Sequence, residues 1–289
     1  MNDNTVRAIE PEQPGTPEAP QPHAAVITRG TRRAAILMAL VVLVLGAFDY
    51  LASAGRLGDA GDLVLAALTL VPLAMAALIL PVARTFGEGG TIRTQWLLFG
   101  FGMLSAGVGN TIFITLYLVT GKDPYPSIAD VFTLAMYAIL AVAFYLSIRA
   151  YRGILDLRPP LVIAGTVSAS VMALVYFTVI GPYVVFAPAE TQPFVTRVFN
   201  TVYPIMDVFL LLMPAIALGL LVSKLGTGRV AWPLWLVTAG AVTLAVTDTI
   251  FAYAGYVGAG RTPIIDAGYA IAPMLVGLAV LVARDVYRS

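Results

Sequence analysis

The sequence predicts an all-α fold: a polytopic integral membrane bundle of eight transmembrane helices, built as four hairpins with both termini in the cytoplasm. Hydrophobic residues make up 59% of the 289-residue chain and charged residues 11%, and the mean hydropathy is +0.88. A soluble globular domain carries about 25% charged residues. Because each span needs about 20 apolar residues, the chain is long enough for eight spans and a tail.

The elements follow in chain order. Residues 1–28 are rich in Pro, Glu, Gln, Thr and Ala without apolar periodicity, which predicts a disordered cytoplasmic tail before a transmembrane domain at 29–289. Eight apolar segments predict the spans: 33–54, 62–83, 95–119, 128–149, 160–184, 203–223, 232–257 and 264–283. The connection 185–202 is long, and its PFVTRVF stretch predicts a short helix lying in the membrane interface.

Basic residues set the predicted orientation. Of the 17 Lys and Arg residues, thirteen lie on the side of the N-terminus and four on the other side, namely Arg56, Lys122, Arg197 and Arg261. Cytoplasmic loops carry the excess of positive charge. Both termini are therefore predicted to be cytoplasmic, and each hairpin is predicted to turn on the outer face.

A short sequence motif near the middle of the chain recurs near its C-terminus. The matching stretches are NTIF at 110–113 with PYPSIAD at 124–130, and DTIF at 248–251 with TPIID at 262–266. The apolar runs after Asp130, Asp207 and Asp266 also correspond in register. Because each hairpin returns to the same side, this predicts a parallel internal repeat, unlike the inverted repeats of many transporters.

Acidic residues border the predicted spans on one side. Asp49, Asp62, Asp130, Asp207, Asp248 and Asp266 all fall in the outer half, with Asn110 in the position that matches Asp248. Carboxylates at such depth usually face the bundle interior or a wet cavity. Helical spacing places Tyr137 on the face of Asp130, and Tyr269 on the face of Asp266. The predicted ligand-binding residues of this outer vestibule are Asp130, Asp248, Asp266, Asn110, Asp207, Tyr137, Tyr269 and Asp49.

A structural interpretation of the same acids stays open. Ser127 and Asp130 fit a capping box at a helix start. Asp207 and Asp266 follow Pro204 and Pro263 by three residues, where a carboxylate complements the first-turn dipole. Capping does not account for the three polar residues near helix C-terminal ends, Asp49, Asn110 and Asp248. For Asp248, the alternative to a functional role is a hydrogen bond to Thr249 or a neighbouring tyrosine.

Other conspicuous residues have structural interpretations. Interfacial aromatic belts account for Tyr117, Tyr125, Tyr253 and Tyr256, and membrane-boundary anchoring accounts for Trp96, Trp232 and Trp235. Pro72, Pro214 and Pro273 predict kinks inside spans. Close approach between helices accounts for the third span's glycines, which are Gly100, Gly102, Gly107 and Gly109.

Composition also excludes classes of chemistry. The chain has no cysteine, and its one histidine, His23, lies in the tail. Cysteine nucleophiles, thiolate metal sites and intramembrane histidine chemistry are thus excluded. Motifs for serine hydrolases, HExxH metalloproteases and phosphate-binding loops are absent from the sequence. A net charge of +1 gives no basic field for a nucleic-acid partner, and nothing in the sequence identifies a cofactor or a metal site.

A set of residues in the repeated motif forms a pattern that resembles a known protein family. The pattern comprises Gly109, Asn110, Pro124, Pro126, Ser127, Asp130 and Tyr137, and part of it recurs at Asp248, Pro263, Asp266 and Pro273. This pattern resembles the multi-pass N-terminal membrane regions of bacterial GGDEF and GGDEF–EAL cyclic-di-GMP signalling proteins. The resemblance implies a sensor module in a bacterial cytoplasmic membrane. No GGDEF or EAL motif occurs in these 289 residues. We therefore expect either a longer protein or a relative that signals through another chain.

Three functional hypotheses remain at this point, and a purely structural or interaction protein stays open if every aspartate is a helix cap. The first is a membrane sensor with an acidic outer pocket for an unidentified small ligand, which relays to a cytoplasmic partner or output domain. The second is a small-solute or cation transporter that uses the same aspartates. The third is an intramembrane hydrolase or lipid-modifying enzyme, for which the sequence offers no nucleophile. The predicted partners are the lipid bilayer, the ligand, and a cytoplasmic signalling protein or a second copy of the chain.

Overall fold

A computed structural model describes residues 27–57, 60–188, 192–224, 228–257 and 262–287. Within these residues, eight helices are long and apolar enough to cross a membrane. They are α1 Arg29–Ser53, α2 Ala60–Ala83, α3 Thr91–Thr120, α4 Ala129–Arg149, α5 Arg158–Val185, α6 Phe194–Lys224, α7 Arg229–Tyr256 and α8 Pro263–Tyr287. The protein is a multi-pass membrane protein with a helical-bundle fold, which confirms the predicted fold class and the eight predicted spans. Residues 1–26 of the predicted tail lie outside the described residues.

Six of the helices form a closed ring. α3 packs between α2 and α4, α6 packs between α4 and α7, and α8 packs against both α7 and α2. α5 lies outside the ring against α6, and α1 lies outside it against α8 and α2. A ring of this kind leaves its middle open unless large side chains fill it, and the cavity described below lies there.

Hydrogen bonds place the start of α1 beside the end of α8. The Thr28 backbone N–H donates to Asp285 Oδ2 at 2.9 Å, and the Thr31 hydroxyl donates to the same oxygen at 2.6 Å. We call this end of the bundle the terminal end. The opposite end, which carries the 121–128 loop between α3 and α4, is called the distal end.

Within the described residues, α7 begins with a 3-10 turn, Arg229–Ala231, and three other helices depart from regular α geometry along their length. α2 is interrupted at Leu70, two residues before Pro72, because proline lacks the N–H that would continue the ladder. α5 ends in a π-helical segment, Tyr176–Val185, and α6 contains another, Asp207–Leu212. Such π segments often mark functional positions. Two of the three prolines predicted to kink the helices lie at these irregularities. Pro72 lies at the interruption of α2, and Pro214 lies two residues after the π segment of α6.

The glycines of α3 permit close helix packing, as predicted. A Cβ built on Gly102 would lie 2.5 Å from a Leu140 methyl group of α4. A Cβ on Gly107 would lie 2.7 Å from the Cα and backbone N of Leu73 in α2. The Gly107 contact is the more demanding, because backbone atoms cannot rotate away.

The variant Gly107→Ala should destabilise the protein by about 1–3 kcal/mol, because α2 must move away from α3. Gly46→Ala in α1 is the matched control, since its Cβ would meet nothing within 4 Å and alanine favours helix. Thermal unfolding in detergent measures both variants. Equal stability of Gly107→Ala and the parent would show that the α2–α3 contact is looser than described.

Two predictions about the spans are wrong. The PFVTRVF stretch is not a separate interfacial helix, because α6 begins at Phe194 and continues through Lys224. Trp96 is not a boundary anchor, since only 1% of its surface is exposed and its ring packs against Phe99. By contrast, Trp232 is 50% exposed, as expected of an anchor.

Candidate functional site

A cavity of about 580 Å³ lies inside the helix ring. It reaches the distal surface, because Asp123 of the 121–128 loop is exposed and lines it. Its wall is polar near the distal end and apolar toward the terminal end. The polar wall residues include Asn110, Tyr125, Asp130, Thr133, Tyr137, Gln192, Thr196, Asn200, Tyr203, Asp207, Asp248 and Tyr269, and the apolar ones include Phe99, Met103, Leu140, Phe144, Leu211, Val237, Ala241, Leu244 and Val276.

Helical periodicity explains why these side chains lie on the cavity wall. On α6, Thr196, Asn200, Tyr203, Asp207 and Leu211 all line the wall. Their spacing of three or four residues places them along one face of the helix. This face changes from polar to apolar along α6, and so gives the cavity its two-part character.

Asp130 has both of the roles that the sequence left open. Its Oδ2 accepts the Ser127 backbone N–H at 2.6 Å, and the Ser127 hydroxyl oxygen accepts the Ala129 N–H at 3.2 Å, which is the predicted helix-start arrangement. Its Oδ1 accepts the Tyr203 hydroxyl of α6 at 2.5 Å. Capping therefore uses one carboxylate oxygen, while the other belongs to the cavity wall.

A second acid–phenol group joins α4, α6, α7 and α8. Tyr137 donates its hydroxyl to Asp207 Oδ1 at 2.6 Å, and the same hydroxyl lies 3.5 Å from Asp248 Oδ2, at the outer limit of a hydrogen bond. Tyr269 donates to Asp248 Oδ1 at 2.6 Å. Because one Tyr137 hydroxyl reaches both carboxyl groups, Asp207 and Asp248 are neighbours across the cavity wall. A nearby cation favours the charged forms of two adjacent carboxyl groups, which otherwise repel each other.

The helix-start interpretation of Asp207 is wrong. Asp207 lies in the middle of α6, thirteen residues after Phe194, and it opens the π segment. Its surface is only 2% exposed. For Asp248, the structure shows the interhelical hydrogen bond to a tyrosine, and it also places the carboxylate on the cavity wall.

The remaining predicted residues divide into two groups. Asn110 lines the cavity, and its Nδ2 donates to the Thr69 carbonyl at 3.1 Å, next to the interruption of α2. Asp49 and Asp266 are buried, but neither belongs to the cavity wall. Asp266 lies in the first turn of α8, where the predicted dipole role fits its position.

The distal mouth uses residues that sequence reasoning missed or assigned elsewhere. Tyr125, predicted to belong to an interfacial belt, lines the cavity and donates its hydroxyl to Asn200 Oδ1 at 2.7 Å. Asn200 Nδ2 in turn donates to Gln192 Oε1 at 3.1 Å. Burial, followed by the nearby Asp130 carboxylate, raises the pKa of Tyr125 well above its ordinary value. The mouth therefore offers a neutral phenol and two amides at physiological pH.

The charge of the wall has one sign. Of the residues that the structure describes, four aspartates line the cavity: Asp123, Asp130, Asp207 and Asp248. Among the wall residues that the structure describes, none is Lys, Arg or His. A cavity with carboxylates and low-dielectric walls attracts cations and repels anions.

Comparisons of the chain with protein-family models, curated proteins and solved structures give no match.

Proposed function

We propose that this chain is a membrane-embedded sensory domain whose cavity binds a small amphipathic organic ligand from the distal side. One observation carries the proposal: a cavity of about 580 Å³ with an acid–phenol wall near its mouth and an apolar deep end. Ligand sites are typically concave and largely apolar, with a few placed polar groups. An apolar body would fill the deep end, and a cationic or hydrogen-bond-donating head would lie between the aspartates.

The proposed orientation follows from the charge distribution. The topology predicted from sequence assigns thirteen of the 17 basic residues to the side of the N-terminus, so we place the terminal end in the cytoplasm. The cavity would then open to the outside of a bacterial cytoplasmic membrane. This orientation would let the end of α8 relay a change to a cytoplasmic partner, an output domain or a second copy.

The π segment of α6 is the proposed relay. It begins at Asp207, a proposed ligand contact, and ends at Leu212 near the middle of the span. A ligand shifts a conformational equilibrium only when it binds one state better than the other. A head group that draws Asp207 away from Tyr137 would favour one state of this segment over another.

Packing below the cavity favours a sensor over a transporter. Between its apolar end and the terminal end, the core contains the fully buried Trp96, Leu218, Leu221 and Ala283. A transported solute would have to pass through this layer. A proteoliposome flux assay with any ligand that binds tests the alternative, since uptake above that of empty vesicles would support the transporter.

Three probes that share one apolar body test the proposal: phenylbutylamine, phenylbutanol and phenylbutanoate. With the protein in lipid nanodiscs, the amine should raise the Tm most, the alcohol less, and the carboxylate not at all. Empty nanodiscs correct for partition into lipid. Equal stabilisation by the carboxylate would contradict the proposed charge preference, and no stabilisation by any of the three would contradict an amphiphile-binding cavity of this kind.

A further inference from the structure

A second cavity, of about 220 Å³, lies at the terminal end, away from the proposed ligand site. We call it the basic cleft. Residues from three helices line it: Ile27 and Arg32 at the start of α1, Arg229 and Trp232 at the start of α7, and Val282 and Val286 near the end of α8. Two arginines and several apolar residues thus line one concave site.

The α1 wall of the basic cleft is fixed by a hydrogen-bond cluster. Asp285 Oδ2 accepts from the Thr28 backbone N–H, the Thr28 hydroxyl and the Thr31 hydroxyl at distances of 2.6 to 2.9 Å. These bonds hold α1, which is otherwise a peripheral helix, against α8. Arg32 lies one residue after Thr31, and therefore occupies a fixed position beside Val282 and Val286 rather than an arbitrary place on the surface.

The charge of the basic cleft is not neutralised within the described part of the chain. The ion pairs in the described part of the chain join Arg93 to Glu88 and Arg284 to Asp285, and neither pair involves Arg32 or Arg229. Asp285, next to Val286, is directed toward α1 and Arg284, with only 3% of its side chain exposed. Two arginines with no carboxylate partner from these residues leave room for an external anion.

The chemistry of the walls identifies the class of anion. A guanidinium pair matches the oxygens of a phosphate group, and arginine is the residue best suited to such contacts. Trp232 is half-exposed, as is common for aromatic residues at the level of lipid head groups. The valines and Ile27 offer apolar contact beside the arginines, which a free inorganic anion could not use.

We propose that the basic cleft binds the phosphate-bearing head group of an anionic phospholipid, with Arg32 and Arg229 contacting the phosphate. Basic clefts between transmembrane helices are suited to such head groups. The lipid would bridge α1 to the start of α7, two elements that otherwise meet through α8. This site is independent of the proposed ligand cavity, which lies toward the other end of the bundle.

Native mass spectrometry of the full chain tests the proposal. The protein is exchanged from mixed micelles that contain phosphatidylglycerol and phosphatidylcholine in equal amounts, and the retained lipids are counted. The parent should retain phosphatidylglycerol preferentially, and the double variant Arg32→Gln/Arg229→Gln should lose that preference by about fivefold or more. Arg33→Gln/Arg149→Gln is the matched control, because it removes the same charge from exposed positions at the same end.

Two outcomes would overturn the proposal. One is equal loss of phosphatidylglycerol from both double variants, which would show that overall charge rather than the cleft retains the lipid. The other is stabilisation of the parent by inorganic phosphate, absent from Arg32→Gln/Arg229→Gln, without preferential retention of phosphatidylglycerol. That result would assign the cleft to a soluble phosphate. Both arginines are exposed, so the double variant should fold, and its unfolding temperature checks this.

Discussion

The double variant Asp207→Asn/Asp248→Asn should abolish measurable binding of phenylbutylamine while the protein stays folded. Asparagine keeps the size of aspartate and an oxygen that can accept the hydroxyls of Tyr137 and Tyr269. Each side chain loses its negative charge and one of its two acceptor oxygens. Because a hydrogen bond to a charged group contributes about 1.5–3 kcal/mol, the loss of two such contacts should weaken amine binding by about 100-fold or more.

The same variant should affect phenylbutanol far less, since an alcohol does not depend on the charge. Isothermal titration calorimetry in nanodiscs measures both affinities. Glu88→Gln/Asp156→Asn is the matched control, because it changes the net charge equally at exposed positions of the terminal end. If amine binding in the aspartate variant equals that of the parent, these carboxylates do not hold the head group, and the proposed site is misplaced.

The spans could be predicted from sequence because their signal is local. An apolar run of about 20 residues has few alternatives to a membrane helix, and seven of the eight predicted starts lie within about four residues of the observed helices. The exception is α6, predicted to begin at 203 and observed to begin at Phe194. Its first turns contain Thr196, Arg197 and Asn200, which lower the hydropathy at the point where the cavity wall is built.

That boundary error concealed part of the site. If α6 began at residue 203, as predicted, Asp207 would lie in its first turn, and an interaction with the helix dipole would account for it. With a start at Phe194, the polar residues Thr196, Asn200, Tyr203 and Asp207 form one helical stripe in an apolar span. Four polar residues at spacings of three or four were visible in the sequence, and they are the signal that could have identified the wall.

The acid–phenol pairs themselves could not be predicted. Tyr203 and Asp130 are 73 residues apart in sequence, and Tyr137 and Asp207 are 70 apart. Nothing in one sequence specifies which face of α4 meets which face of α6. The proposed parallel repeat predicts the same role for Asp130 and Asp266, because they occupy matching positions. Asp130 lines the cavity, however, and Asp266 does not. Local similarity therefore does not determine which of two matching residues reaches the site.

A substitution at the apolar deep end of the cavity should also have a large effect on ligand affinity. Ala241 of α7 lines the apolar part of the wall, together with Phe99, Leu140 and Val237. The variant Ala241→Phe would place an aromatic ring in the space proposed for the apolar body of the ligand. It leaves every aspartate unchanged. We expect phenylbutylamine affinity to fall by about tenfold or more, since the apolar area that the ligand buries would be lost.

The expected loss should increase with the length of the ligand's apolar body, and this distinguishes filling of the deep end from a general disturbance. Affinity for benzylamine, which has a short body, should change much less than affinity for phenylbutylamine. Ala39→Phe, on an exposed position of α1, adds the same ring outside the cavity and should change neither. Occupation of an empty apolar space also adds contacts, so the ligand-free Tm of Ala241→Phe should equal or exceed that of the parent. Equal losses for the short and long amines would mean that the deep end holds no part of the ligand, and would restrict the site to the acid–phenol groups near the mouth.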